Sequence, residues 1–296
     1  MNTIVTNQNN IPDTIDVSKY IDTNTVRFII QHEIQQFEST LLANIQPLPD
    51  VASVPASVLS NPIHRVIVFD VETTGLCPKH IPGQPYPPDE LYPHILQLCY
   101  VVYDMDLRRV VDQMNEYVRI PDNIPITDEV QRITGITRQT VNSKGRSLAS
   151  VLLRFYDAMV KCDTLVAHNI RYDQTVIRKE MFRSKNDFKF LTGSAAKADE
   201  MVQSMTEKYF KARNKQTVCT MSSSIKICNL WIPPILDNSG NVIKTARRKM
   251  PKLSELYECL FKEPAPLGLH DALVDVETCL KCFLELVARF VPKRAE

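Results

Sequence analysis

Four apolar residues, Val66-Ile67-Val68-Phe69, run directly into Asp70-Val71-Glu72-Thr73-Thr74-Gly75-Leu76. A short apolar run of this kind suits a buried strand. Strand side chains alternate with period two, so Asp70 and Glu72 leave the strand end on the same side. Two carboxylates held together repel each other unless a cation sits between them. Hard cations prefer oxygen ligands, and Mg²⁺ or Mn²⁺ fits. A D-x-E pattern alone is common by chance. Placed after an apolar strand and before Thr-Thr-Gly-Leu, it is far more specific.

The remaining pattern builds around that strand. Ile95 to Tyr103 and Val110 to Val118 read as two further strands, joined by the short connection Asp104 to Arg109. Leu148 to Lys161 reads as a helix leading to a buried strand, Thr164 to Ala167, and a second helix covers about Tyr172 to Phe182. Lys252 to Phe261 and Asp271 to Phe290 read as the last two helices. Strands that come first and then alternate with helices indicate an α/β domain with a mixed sheet, over residues 64–296.

Residues 1–63 differ from the rest. They carry two basic and six acidic residues, net −4. Val26, Ile30, Ile34, Phe37 and Leu41 fall on one face of an amphipathic helix over about 25–44. Pro47, Pro49, Pro55 and Pro62 mark a linker after it. This segment reads as an N-terminal helical and extended arm that either packs on its own domain or docks a protein partner through the 25–44 helix.

Composition narrows the classes. The 296 residues are 44% hydrophobic and 23% charged with net charge +1, which fits a globular chain and excludes a uniformly basic nucleic-acid binder. No run of about 18 apolar residues suggests a membrane span, and the first residues lack the pattern of a signal peptide, so an intracellular protein is expected. The eight Cys are scattered through apolar runs and read as reduced core thiols. Cys279 and Cys282 form a C-x-x-C without the second pair a zinc site needs.

Two stretches read as insertions. Cys77 to Pro93 contains six Pro. Residues 205–252 hold ten basic residues against Glu207 and Asp237; they are either a solvated loop or a flank that attracts phosphates. Within them Arg247-Arg248-Lys249 is a weak candidate for a nuclear address.

Two further elements carry chemistry. In Leu165-Val-Ala-His168-Asn169-Ile-Arg-Tyr172-Asp173, a buried strand ends in polar residues and Asp173 starts a helix. Asp173 alone is explained by the helix dipole. In Leu269-His270-Asp271-Ala-Leu-Val-Asp275 a His and two Asp precede a helical pattern, and a lone His beside an Asp is ordinarily structural.

Together, in this order, the three elements resemble the three motifs of the DEDDh 3′–5′ exonucleases, the DnaQ-like group of the RNase H-like superfamily. Asp70 and Glu72 match the first motif, Asp173 the second, and His270 with Asp275 the third. Ile133-Thr-Gly-Ile-Thr137, Cys219-Thr220-Met221 and Leu253-Ser-Glu-Leu256 resemble segments these proteins carry between the motifs. The likeness covers about residues 64–290. The Tyr-type subgroup has Tyr four positions before its last Asp; here that position is Asp271, so the His subgroup is indicated. The Pro-rich 77–93 loop and the segment before the third motif are longer than in compact relatives.

The resemblance implies an RNase H-like mixed sheet flanked by helices. It also implies a two-metal phosphodiester hydrolysis that releases nucleoside 5′-monophosphates from 3′ ends. Asp70, Glu72, Asp173 and Asp275 would ligate two divalent ions, Mg²⁺ or Mn²⁺, and His270 would act as general base, a task suited to an imidazole. Thr73, Thr74 and Leu76 would meet the terminal nucleotide, with His168 and Asn169 close by; Leu76 as plain core is the other reading. The expected partner is nucleic acid with a free 3′ end, single-stranded, and DNA is favoured over RNA. Three alternatives stay open: an exoribonuclease in RNA processing or decay, a structure-selective endonuclease, and a non-catalytic nucleic-acid-binding scaffold on the same fold.

Overall fold

The nine residues Arg65–Thr73 form β1, and their burial alternates toward its end. The computed structural model describes residues 63–236 and 242–290. The expected 25–44 helix and the rest of the arm before Ile63 lie outside the described residues.

Five strands form one sheet in the order β3-β2-β1-β4-β5, with β2 at Ile95–Asp104, β3 at Arg109–Tyr117, β4 at Thr164–Ala167 and β5 at Gln216–Cys219. β1 pairs antiparallel with β2 and parallel with β4. β2–β3 is antiparallel and β4–β5 parallel, so the sheet is mixed, as the order of strands and helices predicts.

Helices cover both faces. The helices are α1 (Asp128–Thr134), α2 (Arg138–Lys144), α3 (Leu148–Met159), α4 (Ile170–Arg183), α5 (Lys185–Thr192), α6 (Ala195–Gln203), α7 (Glu207–Ala212), α8 (Leu253–Phe261) and α9 (Ala272–Phe290), with two single turns, Thr220–Ser223 and Ile225–Cys228, after β5. Ile67, Phe69 and Val71 of β1 enter one core with Leu152 and Phe155 of α3 and Val176 and Ile177 of α4. Phe69 and Phe155 meet edge to face with ring centroids 5.3 Å apart. Val66 and Val68 enter the other core with Leu256 and Leu260 of α8 and Val276, Cys279 and Phe283 of α9. Covering both faces is why β2 is buried along its whole length. Cys279 and Cys282 are both buried in this second core. All eight Cys are free thiols.

Period two then fixes the site. Asp70 and Glu72 continue the row of Val66 and Val68, so they face α9, the helix that carries Asp275.

Two regions differ from the sequence reading. The stretch 205–252 is not one insertion: β5 lies inside it, with Val218 as its one buried residue. A four-residue strand at a sheet edge leaves too little pattern to read. The helices from 128 to 144 and from 185 to 212 have six to nine residues each, too few turns to establish a helical period. Their caps are ordinary: Thr127 accepts from the Val130 N–H, Gly135 ends α1 at φ 71°, and Thr137 accepts from the Thr140 N–H. Ile133-Thr-Gly-Ile-Thr137 is thus the joint between α1 and α2. Among the described residues no helix is long and apolar enough to cross a membrane.

Candidate active site

β1 outruns its parallel neighbour. Its register with β4 stops at Val68–Val166, so the end of β1 carries backbone groups without a β4 partner. The Val71 N–H instead donates to Asp173 Oδ1 at 3.2 Å. The chain turns at Asn169, in the left-handed region at φ 71°, and enters α4, which places Asp173 in its first turn. Asp173 is 2% exposed. A helix-start carboxylate and a ligand of the β1 end are therefore one and the same residue.

The third element closes over this edge. Asp271 caps α9 by accepting from the Leu273 N–H at 2.9 Å. Asp275 follows in the first turn, and its Oδ2 accepts from the His270 backbone N–H at 3.0 Å. His270 sits at φ 80°, a conformation that costs a non-glycine residue about 1 kcal/mol. The tight turn brings its ring to the carboxylates: one ligand atom each from Glu72, His270 and Asp275 lie within 4.8 Å of one another.

The electrostatics are those of crowded, half-desolvated acids. Burial, then Asp275 and Asp271, pushes Asp70 up from 3.8 to about 8. Burial, then Asp70, Asp275 and Asp271, pushes Glu72 from 4.5 to about 9. Asp173 is raised well above the usual carboxylate range by burial and then Asp70. Asp275 is raised by burial, against the opposing effect of His270. Four acids that resist ionisation together, with an imidazole at their rim, fit a hard divalent cation in both donor type and missing charge.

The other residues singled out in sequence are placed as follows. Thr73 Oγ1 lies 2.5 Å from the Tyr172 hydroxyl, and both lie 2.7 Å from the Gly75 carbonyl oxygen, which pins the turn after β1. Thr74 exchanges two bonds with His94: its N–H donates to the His94 carbonyl, and its hydroxyl accepts from the His94 N–H, each at 2.9 Å. Leu76 is 87% exposed, which rules out the core reading. His168 has both ring nitrogens engaged, Nδ1 with Thr220 Oγ1 at 2.9 Å and Nε2 with the Pro251 carbonyl at 3.0 Å. With Nε2 donating to that carbonyl, Nδ1 accepts from the hydroxyl. Asn169 is exposed at the start of α4.

The sequence assigns no role to several supporting residues. Tyr172 pins the β1 turn, and Asp271 adds to the repulsion among the acids. Glu180 is fully buried; it pairs with Arg183 at 2.6 Å and with His94 Nδ1 at 3.0 Å. Arg183 also donates to the carbonyls of Asp89, Tyr92 and Pro93. These bonds clamp the end of the Pro-rich loop onto α4, beside the Thr74–His94 pair. Only the tertiary fold brings positions 94 and 180 together.

Residues 67–283 match the profile of the RNase_T exonuclease family. No curated protein matches the sequence. Among solved structures the fold is similar to E. coli exonuclease I in a zinc-bound complex with single-stranded DNA (16% identity, TM-score 0.51, 76% of this chain and 41% of that one). It is equally similar to the E. coli enzyme with a dT13 oligonucleotide (17%, TM-score 0.51, 76% and 41%). A further exonuclease I structure gives 16% identity and TM-score 0.52 over 77% and 42%. At such identity the likeness concerns the fold, and the chain spans about two fifths of the length of those structures.

Proposed function

This chain belongs to the RNase_T exonuclease family, DnaQ-like 3′–5′ exonucleases on an RNase H-like fold, and from that premise we propose that it removes nucleoside 5′-monophosphates from the 3′ ends of single-stranded DNA. The observation that carries the reading is the convergence at the β1 end. Three separate chain segments deliver Asp70, Glu72, Asp173, His270 and Asp275 to one place, and three of their ligand atoms fall within 4.8 Å. DNA is chosen over RNA because the similar solved structures include an enzyme with single-stranded DNA.

Asp70, Glu72, Asp173 and Asp275 would hold two divalent ions, Mg²⁺ or Mn²⁺. When bound, such ions neutralise the charge that develops on the attacking and leaving oxygens of the phosphodiester. His270 takes a proton from the attacking water. Its turn is held by the bond from its own N–H to Asp275, so the base and one acid move as a unit. The water oxygen bonds to phosphorus as the P–O3′ bond breaks, the terminal nucleotide leaves as a 5′-monophosphate, and the 3′ oxygen of the shortened strand takes a proton from solvent to become a hydroxyl. Leu76, exposed beside the pinned β1 turn, packs on the terminal base, as apolar contacts on single strands commonly do without reading sequence. Thr73 and Thr74 hold that turn in place, and Asn169 faces the same end of the sheet. His168 braces the β4–α4 junction.

The test is a competition between matched DNA and RNA oligonucleotides in Mg²⁺, with chromatography of the products. Release of deoxynucleoside 5′-monophosphates at the faster rate supports the proposal. Faster release of ribonucleotides would move the assignment to RNA ends, and 3′-phosphate products would refute the chemistry.

A further inference from the structure

Between β5 and α8 the chain forms a small antiparallel arm from β6 (Trp231–Ile232), β7 (Ile235–Leu236), β8 (Val242–Lys244) and β9 (Arg247–Arg248). Three of its four cross-strand pairs join an apolar residue to a cation: Trp231 opposes Arg248, Ile232 opposes Arg247, and Ile235 opposes Lys244, while Leu236 opposes Val242. The Arg248 guanidinium lies over the Trp231 ring, 5.3 Å from its centroid. The indole N–H donates to Asn229 Oδ1 at 3.3 Å, so the ring is oriented before anything binds. Trp231 is nonetheless 55% exposed, and Ile235, Val242, Ile243 and Met250 are also exposed.

Charge selects the occupant. Residues 226–252 contain six basic residues against Asp237 alone. Among the described residues the arm makes one ion pair, Lys249 with Glu255, and none takes Lys244, Arg247 or Arg248. The root of the arm is closed by the Lys249 N–H donating to the Leu230 carbonyl, and it is fastened to the β4–α4 junction, where the Pro251 carbonyl accepts from His168, five residues before Asp173 in sequence. Cations alternating with stacking or apolar side chains are what a flexible polyanion with exposed bases requires.

We infer that this arm binds the single strand upstream of the scissile linkage, with Trp231 stacked on a base under the guidance of Arg248 and with Lys244 and Arg247 on phosphates. The inference rests on the exonuclease reading. It makes the arm a determinant of affinity for long strands and leaves the chemistry to the carboxylates. A protein or a membrane surface is the competing occupant.

Trp231 is the only Trp in the chain, so its fluorescence reports on the arm directly. The full chain in EDTA is titrated with dT20, rU20 and vesicles of phosphatidylserine and phosphatidylcholine, and turnover is then measured in Mg²⁺ on dT20 and on a dinucleotide. Saturable quenching by an oligonucleotide is expected. Trp231→Ala and Arg247→Glu should each raise KM on dT20 about tenfold, as loss of one stacking or phosphate contact does. The salt dependence should flatten for Arg247→Glu, and kcat on the dinucleotide should stay unchanged for both. Trp231→Phe should keep the wild-type KM, which separates stacking from a folding defect. Wild-type KM and salt dependence in Trp231→Ala and Arg247→Glu would overturn the arm while the exonuclease reading stands. Quenching by vesicles alone, or by neither probe, would also overturn it. The fluorescence arm decides the question even if the wild type cleaves nothing, a result that would count against the exonuclease reading separately.

Discussion

Replacing Asp70 with Asn in the metal-free protein should make it clearly more stable at pH 8 and only slightly more stable at pH 5. Burial and the neighbouring carboxylates Asp275 and Asp271 raise Asp70 from 3.8 to about 8. The folded state therefore keeps a proton that the unfolded chain releases near pH 4. Between about pH 4 and pH 8 the folded state binds more protons, so stability falls as pH rises through that window and levels off above it. At about 1.4 kcal/mol per pH unit, one such carboxyl weakens the fold by at most about 6 kcal/mol at high pH. Asp70 is only half-buried and water screens part of its charge, so an isosteric Asn should recover about 1–3 kcal/mol at pH 8. That is a rise in Tm of about 2–8 °C for a domain of this size. The assay is thermal unfolding in EDTA at pH 5 and pH 8. Mg²⁺ should raise the wild-type Tm at pH 8, because a ligand of the folded state stabilises it, and should do little for Asp70→Asn. A variant no more stable than the wild type at pH 8, or equally stabilised at both pH values, would refute the burial and mutual repulsion from which the cation site is argued.

Three other outcomes follow from single contacts. His270→Asn, chosen because Asn tolerates the left-handed backbone at φ 80°, should lower kcat by about 10²- to 10⁴-fold while Mn²⁺ binding by calorimetry stays near wild type. Leu76→Ala should leave Tm within the error set by about 0.5 kcal/mol, since the side chain is exposed, yet raise KM for a dinucleotide several-fold in steady-state assays. Arg183→Ala leaves the buried Glu180 carboxylate with His94 as its remaining partner and releases the Pro-rich loop; it should cost about 3 kcal/mol in chemical denaturation and open residues 77–93 to limited proteolysis.

The candidate site was legible through the resemblance of three segments to known motifs, and its residues sit at punctuation points of the chain. Asp70 and Glu72 end an apolar run, Asp173 opens a helix after one, and Asp275 opens the last helix, so the pattern of elements carries the acids with it. The face that Asp70 shares with Val66 and Val68 was also readable from period two. What was not legible depends on distant contacts. Gln216–Cys219 becomes a strand only because β4 offers it a parallel edge. His94, Glu180 and Arg183 form one cluster from two segments about ninety residues apart, and nothing in the pattern of either segment links it to the other. His168 was readable as a polar residue after a strand, but its bond to the Pro251 carbonyl, 83 residues away, is a product of the fold. The 231–248 arm escaped for a similar reason. Its strands are two or three residues long, and Pro233 and Pro234 interrupt them, so only its charge stood out.

The most direct measurement is a time course on a 5′-end-labelled single-stranded DNA, in Mg²⁺ and in EDTA, for the wild type and for Asp70→Ala with folding checked by circular dichroism. The account predicts a ladder that shortens one nucleotide at a time from the 3′ end, present only for the wild type in Mg²⁺. A ladder of undiminished rate in EDTA or in Asp70→Ala, or internal fragments without a ladder, would contradict it.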